Sequence, residues 1–518
     1  MSDDADTVND PDLDADVNPG GRVLHDQAEW KRLAFAGAKE GYFELRTRDI
    51  GDVPVRLFLT PGLLTEAEPT LYRQIVNATR FPGTKLVCIT PDVHYGYGVP
   101  VGSVILTSRD DGAVAMGPVG FDIGCGMMSA KSQVPAERAT WDARLAFNRE
   151  VEKRVALGAG GQSRNGALSK RELQEVIRGG AEHWLSKHEG SVSHDRAERQ
   201  RLPVRDTWDV PWGKKGNPER GLDQLGTLGG GNHFVELQRG EPSGKLFVQV
   251  HTGSRGFGHG LATNYFELAR EERPDEIRDL DLGYFTPDSP HFLDYLDAVG
   301  AGGNFAIVNR LVIFEAIAEA FRKVFRDDLE LVYEISHNLV QAEDHPEYGP
   351  VWTHRKGATR AFPAGHPALV GTPWETCGHP VLIPGSNRDK SFILRPEPGA
   401  VRSGYSVNHG AGRRLSRGEA KRVLSQDKVN EQYRHDGIVV NTDFEVPLDE
   451  SAACYKPSEE VVRAVVSAGL ARIEETLHPL ASIKGNEDAQ RREVARDHRL
   501  AKKDRDKARG AERRQKGR

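Results

Sequence analysis

Short apolar runs recur along the chain, each ending beside a glycine-rich or polar turn. They are Lys85-Leu-Val-Cys-Ile-Thr90, Ser103-Val-Ile-Leu-Thr-Ser108, Lys245-Leu-Phe-Val-Gln-Val-His-Thr-Gly253, Leu329-Glu-Leu-Val-Tyr-Glu-Ile-Ser-His-Asn338 and His379-Pro-Val-Leu-Ile-Pro-Gly-Ser386. Runs of this length, rich in β-branched residues and closed by turn formers, predict buried strands that end in loops. Helical periods lie between them. The stretch Asn304 to Arg326 alternates small and apolar residues at helical spacing, and Ser458 to Leu477 opens with the capping pattern Ser458-Glu-Glu. The mix predicts an α+β or α/β protein. Between about residues 40 and 480 there is no clear linker, internal repeat or low-complexity segment.

The two ends differ from this pattern. Residues 1 to 25 are polar, acidic and poor in large apolar side chains, which predicts a disordered head. Residues 489 to 518 form a charged tail, so the folded domain is expected over 26 to 488. A chain of 518 residues can bury a large core, as one big domain or about three smaller ones. Its 38% hydrophobic and 28% charged residues fit a water-soluble globular protein. It has no apolar run of about 18 residues, which argues against a membrane span. The acidic start lacks the basic and apolar segments of a secretory signal. Four cysteines in so long a chain do not make a disulfide framework, so a reducing, cytoplasmic location is expected.

A net charge of −6 at first argues against a nucleic-acid partner, but the charge is unevenly placed. Residues 3 to 16 hold seven Asp and no base, whereas residues 489 to 518 hold 13 Lys/Arg against five Asp/Glu. Such a tail can touch phosphates or can simply be solvated. A local basic groove is equally compatible with the total.

Candidate chemistry is concentrated where glycine clusters beside His, Asp and Cys. The segments are Pro91-Asp92-Val-His94, Gly120-Phe-Asp122-Ile-Gly-Cys125-Gly, Leu228-Gly-Gly-Gly-Asn232-His233-Phe-Val-Glu236, Val250-His251-Thr-Gly-Ser-Arg255 and Glu334-Ile-Ser-His337-Asn338. His233, His251 and His337 are placed at or just after predicted strands, where a side chain is well held and the loop stays free to shape a site. Imidazole suits Mn, Zn, Fe and Ni, a carboxylate favours harder ions, and a thiolate softer ones. One Cys, one Asp and three His can hold two divalent ions if the thiolate bridges them. Each residue alone has a plainer reading: a surface histidine, a small buried cysteine, a turn-capping aspartate. From the residues alone the repeated motif points to a metal or phosphate site and to no particular reaction.

At these motifs the chain resembles the RtcB RNA ligases, from about Val53 to Gly485. Asp92-Val-His-Tyr-Gly-Tyr-Gly, Gly120-Phe-Asp-Ile-Gly-Cys-Gly, Leu225-Gly-Thr-Leu-Gly-Gly-Gly-Asn-His-Phe, His251-Thr-Gly-Ser-Arg-Gly, Ser336-His-Asn, His354-Arg-Lys-Gly-Ala-Thr-Arg, Ile383-Pro-Gly-Ser, Asn408-His-Gly-Ala-Gly-Arg and Ile483-Lys-Gly follow in the family's order. The resemblance implies a single large α+β domain with a deep pocket for two Mn²⁺ ions. By motif match Cys125 would bridge the metals, with Asp122 and His233 on one and His251 and His337 on the other. His409 would be the nucleophile that becomes guanylated. The implied GTP contacts are Asn232, Glu236, Asn338, Ser386, Ser391, Tyr455 and Lys484, with Gly410, Gly412 and Arg413 shaping the nucleotide loop. Asp92 would lie beside the active site, and Arg255, Lys356 and Arg360 are candidates for phosphate or RNA contact.

The implied reaction joins an RNA 3′-phosphate or 2′,3′-cyclic phosphate to a 5′-hydroxyl, in tRNA splicing or RNA repair. An archease-type activator is a partner that the resemblance raises and the sequence does not decide. The match is uneven. Gly124 stands where the family usually has Asn, and Asn387-Arg-Asp-Lys390 replaces the usual Met-Gly-Thr-Ala, in a loop expected to touch the nucleotide. Two other readings are a two-metal phosphoester hydrolase, which would not need His409 or Lys484, and a non-catalytic RNA-binding protein that uses the basic tail.

Overall fold

The computed structural model describes residues 24–37, 40–188, 201–214 and 216–485. The acidic head, except its last two positions, and the basic tail lie outside the described residues. The architecture is a mixture of helix and sheet, as expected, built on two large sheets. All five expected strands are present, over Thr84–His94, Val101–Ser108, Lys245–Thr252, Glu330–Ser336 and Val381–Ile383.

The first sheet runs Ala34–Ala36, Phe43–Leu45, Val55–Leu57, Thr84–His94, Val101–Ser108, Gly349–Lys356, Asn338–His345. It is antiparallel except where Val55–Leu57 pairs with Thr84–His94. The second sheet runs Glu330–Ser336, Gly126–Pro135, Lys245–Thr252, Phe234–Glu241, Ala471–Lys484, Ser391–Pro396, Val381–Ile383, with Val439–Val440 added in parallel to Ala471–Lys484. The chain passes from the second sheet to the first at one residue, His337, between Glu330–Ser336 and Asn338–His345.

A helix of 34 residues, Phe292–Phe325, packs with Trp141–Arg154, Lys170–Lys187 and Arg255–Glu272 over one face of the second sheet and encloses the largest apolar core. This helix starts 12 residues before the expected Asn304. The early part carries Gly300, Gly302 and Gly303, which weaken helix propensity by up to about 1 kcal/mol each. They are tolerated because they sit where other chain segments press in: a Cβ on Gly300 or Gly303 would collide with Pro203 or Leu202. Burial of Phe292, Tyr295 and Val299 in the core outweighs the propensity.

The second helix expectation needs a larger correction. The helix covers only Ser458–Ser467, and the rest of the expected stretch is the strand Ala471–Lys484. Gly469, at φ +63°, reverses the chain between them. Ser458 is not a cap either; Pro457 occupies that position and the Ser458 hydroxyl donates to the carbonyl of Lys390 at 2.8 Å. All four cysteines are free. Among the described residues no helix is long and apolar enough to cross a membrane.

Candidate metal and nucleotide site

Strand register brings the sequence-distant motifs together. In the second sheet Gly126 lies opposite both Ser336 and Thr252, and Phe234 lies opposite both His251 and Lys484. Cys125, His337, His251, His233 and Lys484 therefore meet at one end of the sheet, at the seam with the first. His337 and His251 follow or lie within strands as expected, whereas His233 immediately precedes its strand. The seam is tied by backbone bonds: the His337 N–H donates to the Cys125 carbonyl at 2.8 Å, and the Gly124 N–H to the Asn338 carbonyl at 2.8 Å.

Two groups of donor atoms share Cys125. One is Cys125, His251 and His337; the other is Asp122, Cys125 and His233; within each, the atoms lie within 4.8 Å of one another. Cys125 Sγ is 3.3 Å from His251 Nε2 and 3.5 Å from His233 Nε2. His251 Nε2 is 3.2 Å from His337 Nε2, and His233 Nε2 is 3.0 Å from Asp122 Oδ2. The Nδ1 atoms of His233 and His251 each face a backbone carbonyl, of Leu228 and Asn232, both at 3.1 Å. That places the ring proton on Nδ1 and leaves Nε2 a lone pair, the arrangement of a metal-binding imidazole with an outer partner. On that assignment the Nε2 lone pairs of His233 and His251 both face the Cys125 sulfur, whose single proton can satisfy only one of them, a shortage that a bound cation would relieve. The donor spacings suit atoms that share an ion at bond lengths of about 2.0–2.3 Å. The donor set therefore fits two divalent ions with Cys125 between them.

Electrostatics prepare the cluster. Burial pushes His251 and His337 well below the usual histidine range, helped by neighbouring imidazoles, so both are neutral at physiological pH. Burial also opposes the Asp122 charge, but His233 and then Arg255 more than offset it and hold the carboxyl below its ordinary value. Without a cation, burial and the Asp122 charge push the Cys125 thiol up. Gly229, at φ +97°, is required here: a Cβ would collide with the Arg255 guanidinium and with His233 Nδ1.

His409 follows the short strand Ser406–Asn408 and packs its ring against His337, with centroids 4.8 Å apart. Its Nδ1 lies 2.7 Å from Asp92 Oδ2, off the line of a hydrogen bond. The same carboxylate accepts the backbone N–H groups of His409 at 3.0 Å and Gly410 at 3.1 Å, and its other oxygen accepts the Thr90 hydroxyl at 2.6 Å. Burial opposes the Asp92 charge, and His409 outweighs it, so the carboxyl sits below its ordinary value. Gly412, at φ +78°, allows the Asp92 backbone to approach its own.

A model of the family "tRNA-splicing ligase RtcB" matches residues 74–485. The chain belongs to the RtcB family. It is 35% identical over 460 residues to the tRNA-splicing ligase RtcB of Nanoarchaeum equitans, covering 84% of this chain and 96% of the relative. It is 34% identical to the protein of the same name from Pyrobaculum aerophilum, over 84% and 95%. It is 35% identical to the RNA-splicing ligase RtcB of Mycobacterium bovis, over 80% of this chain and all of the relative.

Five of the residues expected for nucleotide contact in an RtcB protein fall into two groups, and Asn338, Asn232 and Ser386 stand apart. Glu236 and Ser391 are buried and joined through Gln238, whose amide donates to Glu236 Oε1 at 2.6 Å and to Ser391 Oγ at 3.1 Å. Burial pushes Glu236 up to about 8. Arg413, Tyr455 and Lys484 gather around a residue the sequence reading missed, Glu450. Arg413 Nη1 and Lys484 Nζ lie 3.1 and 3.2 Å from its carboxylate, Tyr455 donates to it, and Arg417 joins at 3.5 Å. Burial opposes the Glu450 charge, yet Lys484, Arg417 and Arg413 bring it down to about 2. Asn338 spans the seam, donating to the Asp122 carbonyl at 3.2 Å and accepting the Gly357 N–H at 2.8 Å. Asn232 is exposed, with its carbonyl on His251.

The divergent loop is held by its own residues. The Ser386 hydroxyl donates to Asp389 at 2.9 Å and accepts the N–H groups of Arg388 and Asp389, while Arg388 pairs with Asp436 and Lys390 with Glu459. Of the three expected phosphate contacts, Arg255 sits beside the donor cluster, with Nε on the Thr227 hydroxyl. Lys356 and Arg360 are buried. The Lys356 ammonium donates to the carbonyls of Tyr97 and Val99, at 2.5 and 3.1 Å, and Arg360 lies over the Phe362 ring at 4.8 Å.

A second missed residue is Arg310, fully buried against Glu334. Its Nη1 donates to the carbonyls of Gly124 at 2.8 Å and Thr252 at 2.9 Å, and its Nη2 to Ser336 Oγ at 2.8 Å. It thus ties the chain beside Cys125, His251 and His337. Neither Arg310 nor Glu450 stands in one of the motifs that single out the candidate ligands.

Proposed function

We propose that this protein is an RNA ligase that uses GTP and Mn²⁺ to join RNA 3′-phosphate or 2′,3′-cyclic phosphate ends to 5′-hydroxyl ends, in tRNA splicing or RNA repair. The observation that carries this reading is His409, its backbone held by a buried carboxylate that also lies against Nδ1, and its ring packed against a donor cluster suited to two cations. Asp122, Cys125 and His233 would hold one ion and Cys125, His251 and His337 the other, and the ions would offset the charge of the phosphate oxygens.

The chain's own residues account for the remaining steps. The lone pair on His409 Nε2 attacks the α-phosphorus of GTP, a P–N bond forms, and the bond to pyrophosphate breaks. The Nδ1 proton stays in place, and the positive charge gained by the ring is balanced by Asp92. An oxygen of the RNA 3′-phosphate then attacks the same phosphorus, the P–N bond breaks, and the ring returns to neutrality. Attack by the RNA 5′-hydroxyl on the activated 3′-phosphate expels GMP, with the hydroxyl proton passing to solvent. A cyclic phosphate is first opened by water.

The nucleotide is held by Asn232, Glu236, Asn338, Ser386, Ser391, Tyr455, Lys484 and the loop Gly410, Gly412 and Arg413. Arg255 would meet phosphate, while Lys356 and Arg360 would support the site from beneath. A cytoplasmic location and help from an archease-type activator belong to the same reading. The test is incubation with α-labelled GTP and Mn²⁺ followed by denaturation. Label in an acid-labile, base-stable bond that disappears in His409→Ala is the expected result. Turnover of RNA ends without GTP, with no labelled protein, would replace this reading by two-metal hydrolysis.

A further inference from the structure

The loop from His94 to Val99 joins two features with no role in the reaction described above. Its backbone is pinned from the buried side. The Gly96 N–H donates to Gln74 Oε1 at 3.1 Å and the Gln74 amide returns to the Gly96 carbonyl; Asn77 donates to the Gly98 carbonyl at 2.9 Å; Lys356 holds the carbonyls of Tyr97 and Val99. Outward, the same loop presents two large rings two residues apart, Tyr95 at 58% and Tyr97 at 49% exposure. Tyr95 is the more exposed of the two, and it directly follows His94, whose ring stacks at 6.5 Å on that of His409. The Tyr97 ring stands edge-on to Phe121 at 6.0 Å, and Phe121 stacks on the exposed His259 at 5.1 Å and on Phe266 at 4.8 Å. Phe121 is the neighbour of Asp122. The two exposed rings thus lie on a pinned loop whose neighbours reach the site: Tyr95 follows the residue that stacks on His409, and Tyr97 meets the residue that precedes Asp122.

We infer that Tyr95 and Tyr97 form a stacking platform for the unpaired terminal bases of the RNA strand whose end lies at His409, an inference that rests on the RNA-ligase reading above. Exposed aromatic faces on a fixed backbone suit unstacked bases and tolerate any sequence, because every base has a π face. Pinning the loop beforehand reduces the ordering cost of binding. The His94–His409 contact, next in the chain to Tyr95, points to the substrate strand and not to a remote partner as the occupant.

The experiment measures binding of a single-stranded 3′-phosphate oligonucleotide by fluorescence anisotropy, in wild type, Tyr95→Ala, Tyr97→Ala and Tyr95→Trp. Tyr97→Leu is included because it keeps apolar contact with Phe121 while removing the π face. Each Ala or Leu variant is expected to bind about tenfold more weakly, and Tyr95→Trp to bind as wild type does. Replacing the terminal nucleotides by abasic ones should weaken wild-type binding by a similar factor and erase the difference between wild type and the Ala variants. Unchanged binding in the Ala variants, or the same loss with abasic ends, would overturn the platform. So would a concentration-dependent dimer abolished by Tyr95→Ala with RNA affinity intact, which would assign the surface to a second copy. If the wild type joins RNA ends while the Ala variants bind normally, only the platform fails; if the wild type neither binds nor joins RNA ends, the ligase reading fails and takes the platform with it.

Discussion

Replacing Arg310 by Met separates the stability of the seam from its geometry. Arg310 and Glu334 have no exposed surface, and the guanidinium also satisfies the carbonyls of Gly124 and Thr252 and the hydroxyl of Ser336. Arg310→Met leaves a buried carboxylate without its partner, which costs about 3–5 kcal/mol, and strands two carbonyls at about 1–3 kcal/mol each if nothing replaces the donor. These terms overlap, so a loss of about 4 kcal/mol is expected in urea unfolding. The freed segments carry Cys125, His251 and His337, so Mn²⁺ affinity should fall by about 10- to 100-fold, the usual scale for removing an outer partner of a metal site. Adding Glu334→Leu removes the stranded charge and should recover most of the stability, as apolar replacement of buried pairs generally does. It should not restore Mn²⁺ affinity, because the three segments remain untied. Calorimetric titration of Mn²⁺ into both variants decides the matter. A single variant within about 1 kcal/mol of wild type, or a double variant that binds Mn²⁺ as wild type does, would refute the reasoning.

Gly229→Ala should weaken metal binding strongly while leaving secondary structure intact, read by Mn²⁺ titration and circular dichroism, because the added methyl meets Arg255 and His233 at a backbone angle that disfavours side chains. Asp92→Asn should slow labelling of His409 by about 10²–10⁴-fold, the range for a group that assists proton placement, with Mn²⁺ stoichiometry unchanged; labelling at the wild-type rate would remove Asp92 from the mechanism. Glu236 holds its proton in the folded protein up to about pH 8 but releases it near the ordinary carboxyl value of 4.5 when unfolded. The folded state therefore binds more protons between those values, and its stability falls as pH rises through that window; in nucleotide-free protein Glu236→Gln should flatten the decline in melting temperature between pH 5 and 8. Deleting residues 489–518, with their 13 Lys/Arg against five Asp/Glu, should lower RNA affinity and the slope of its salt dependence if the tail meets phosphates; an unchanged slope assigns it to solvent.

The strands and the donor residues were legible in the sequence because both leave local marks: apolar runs, and glycines placed where a polar side chain needs room. The pairing of donors was not, since it depends on which strand lies beside which. Nothing in spacing sets Gly126 opposite both Ser336 and Thr252; the family resemblance supplied that grouping. The long helix was read short because its first turns are rich in glycine, and packing against Pro203 and Leu202 overrode propensity. The strand Ala471–Lys484 was read as helix because the stretch before it is a genuine helix and a single left-handed glycine divides them. Buried charges left no mark at all. Arg310 lies inside a stretch correctly read as helix, yet only the fold shows that it faces Glu334, and Glu450 becomes visible only when Arg413, Tyr455 and Lys484 surround it.

The strand Ala471–Lys484 is nearly the last part of the described chain, yet it lies in the interior of the second sheet, between Phe234–Glu241 and Ser391–Pro396. A ribosome adding about 5–20 residues per second delivers that strand only after both of its neighbours have emerged. The Phe234–Glu241 edge must therefore wait unpaired for roughly 12–46 s and the Ser391–Pro396 edge for roughly 4–15 s. Lys484 arrives with that strand, so the nucleotide-side cluster around Glu450 and the closed sheet are completed in the same event. A nascent chain without this strand should be a natural client for chaperones that cover strand edges.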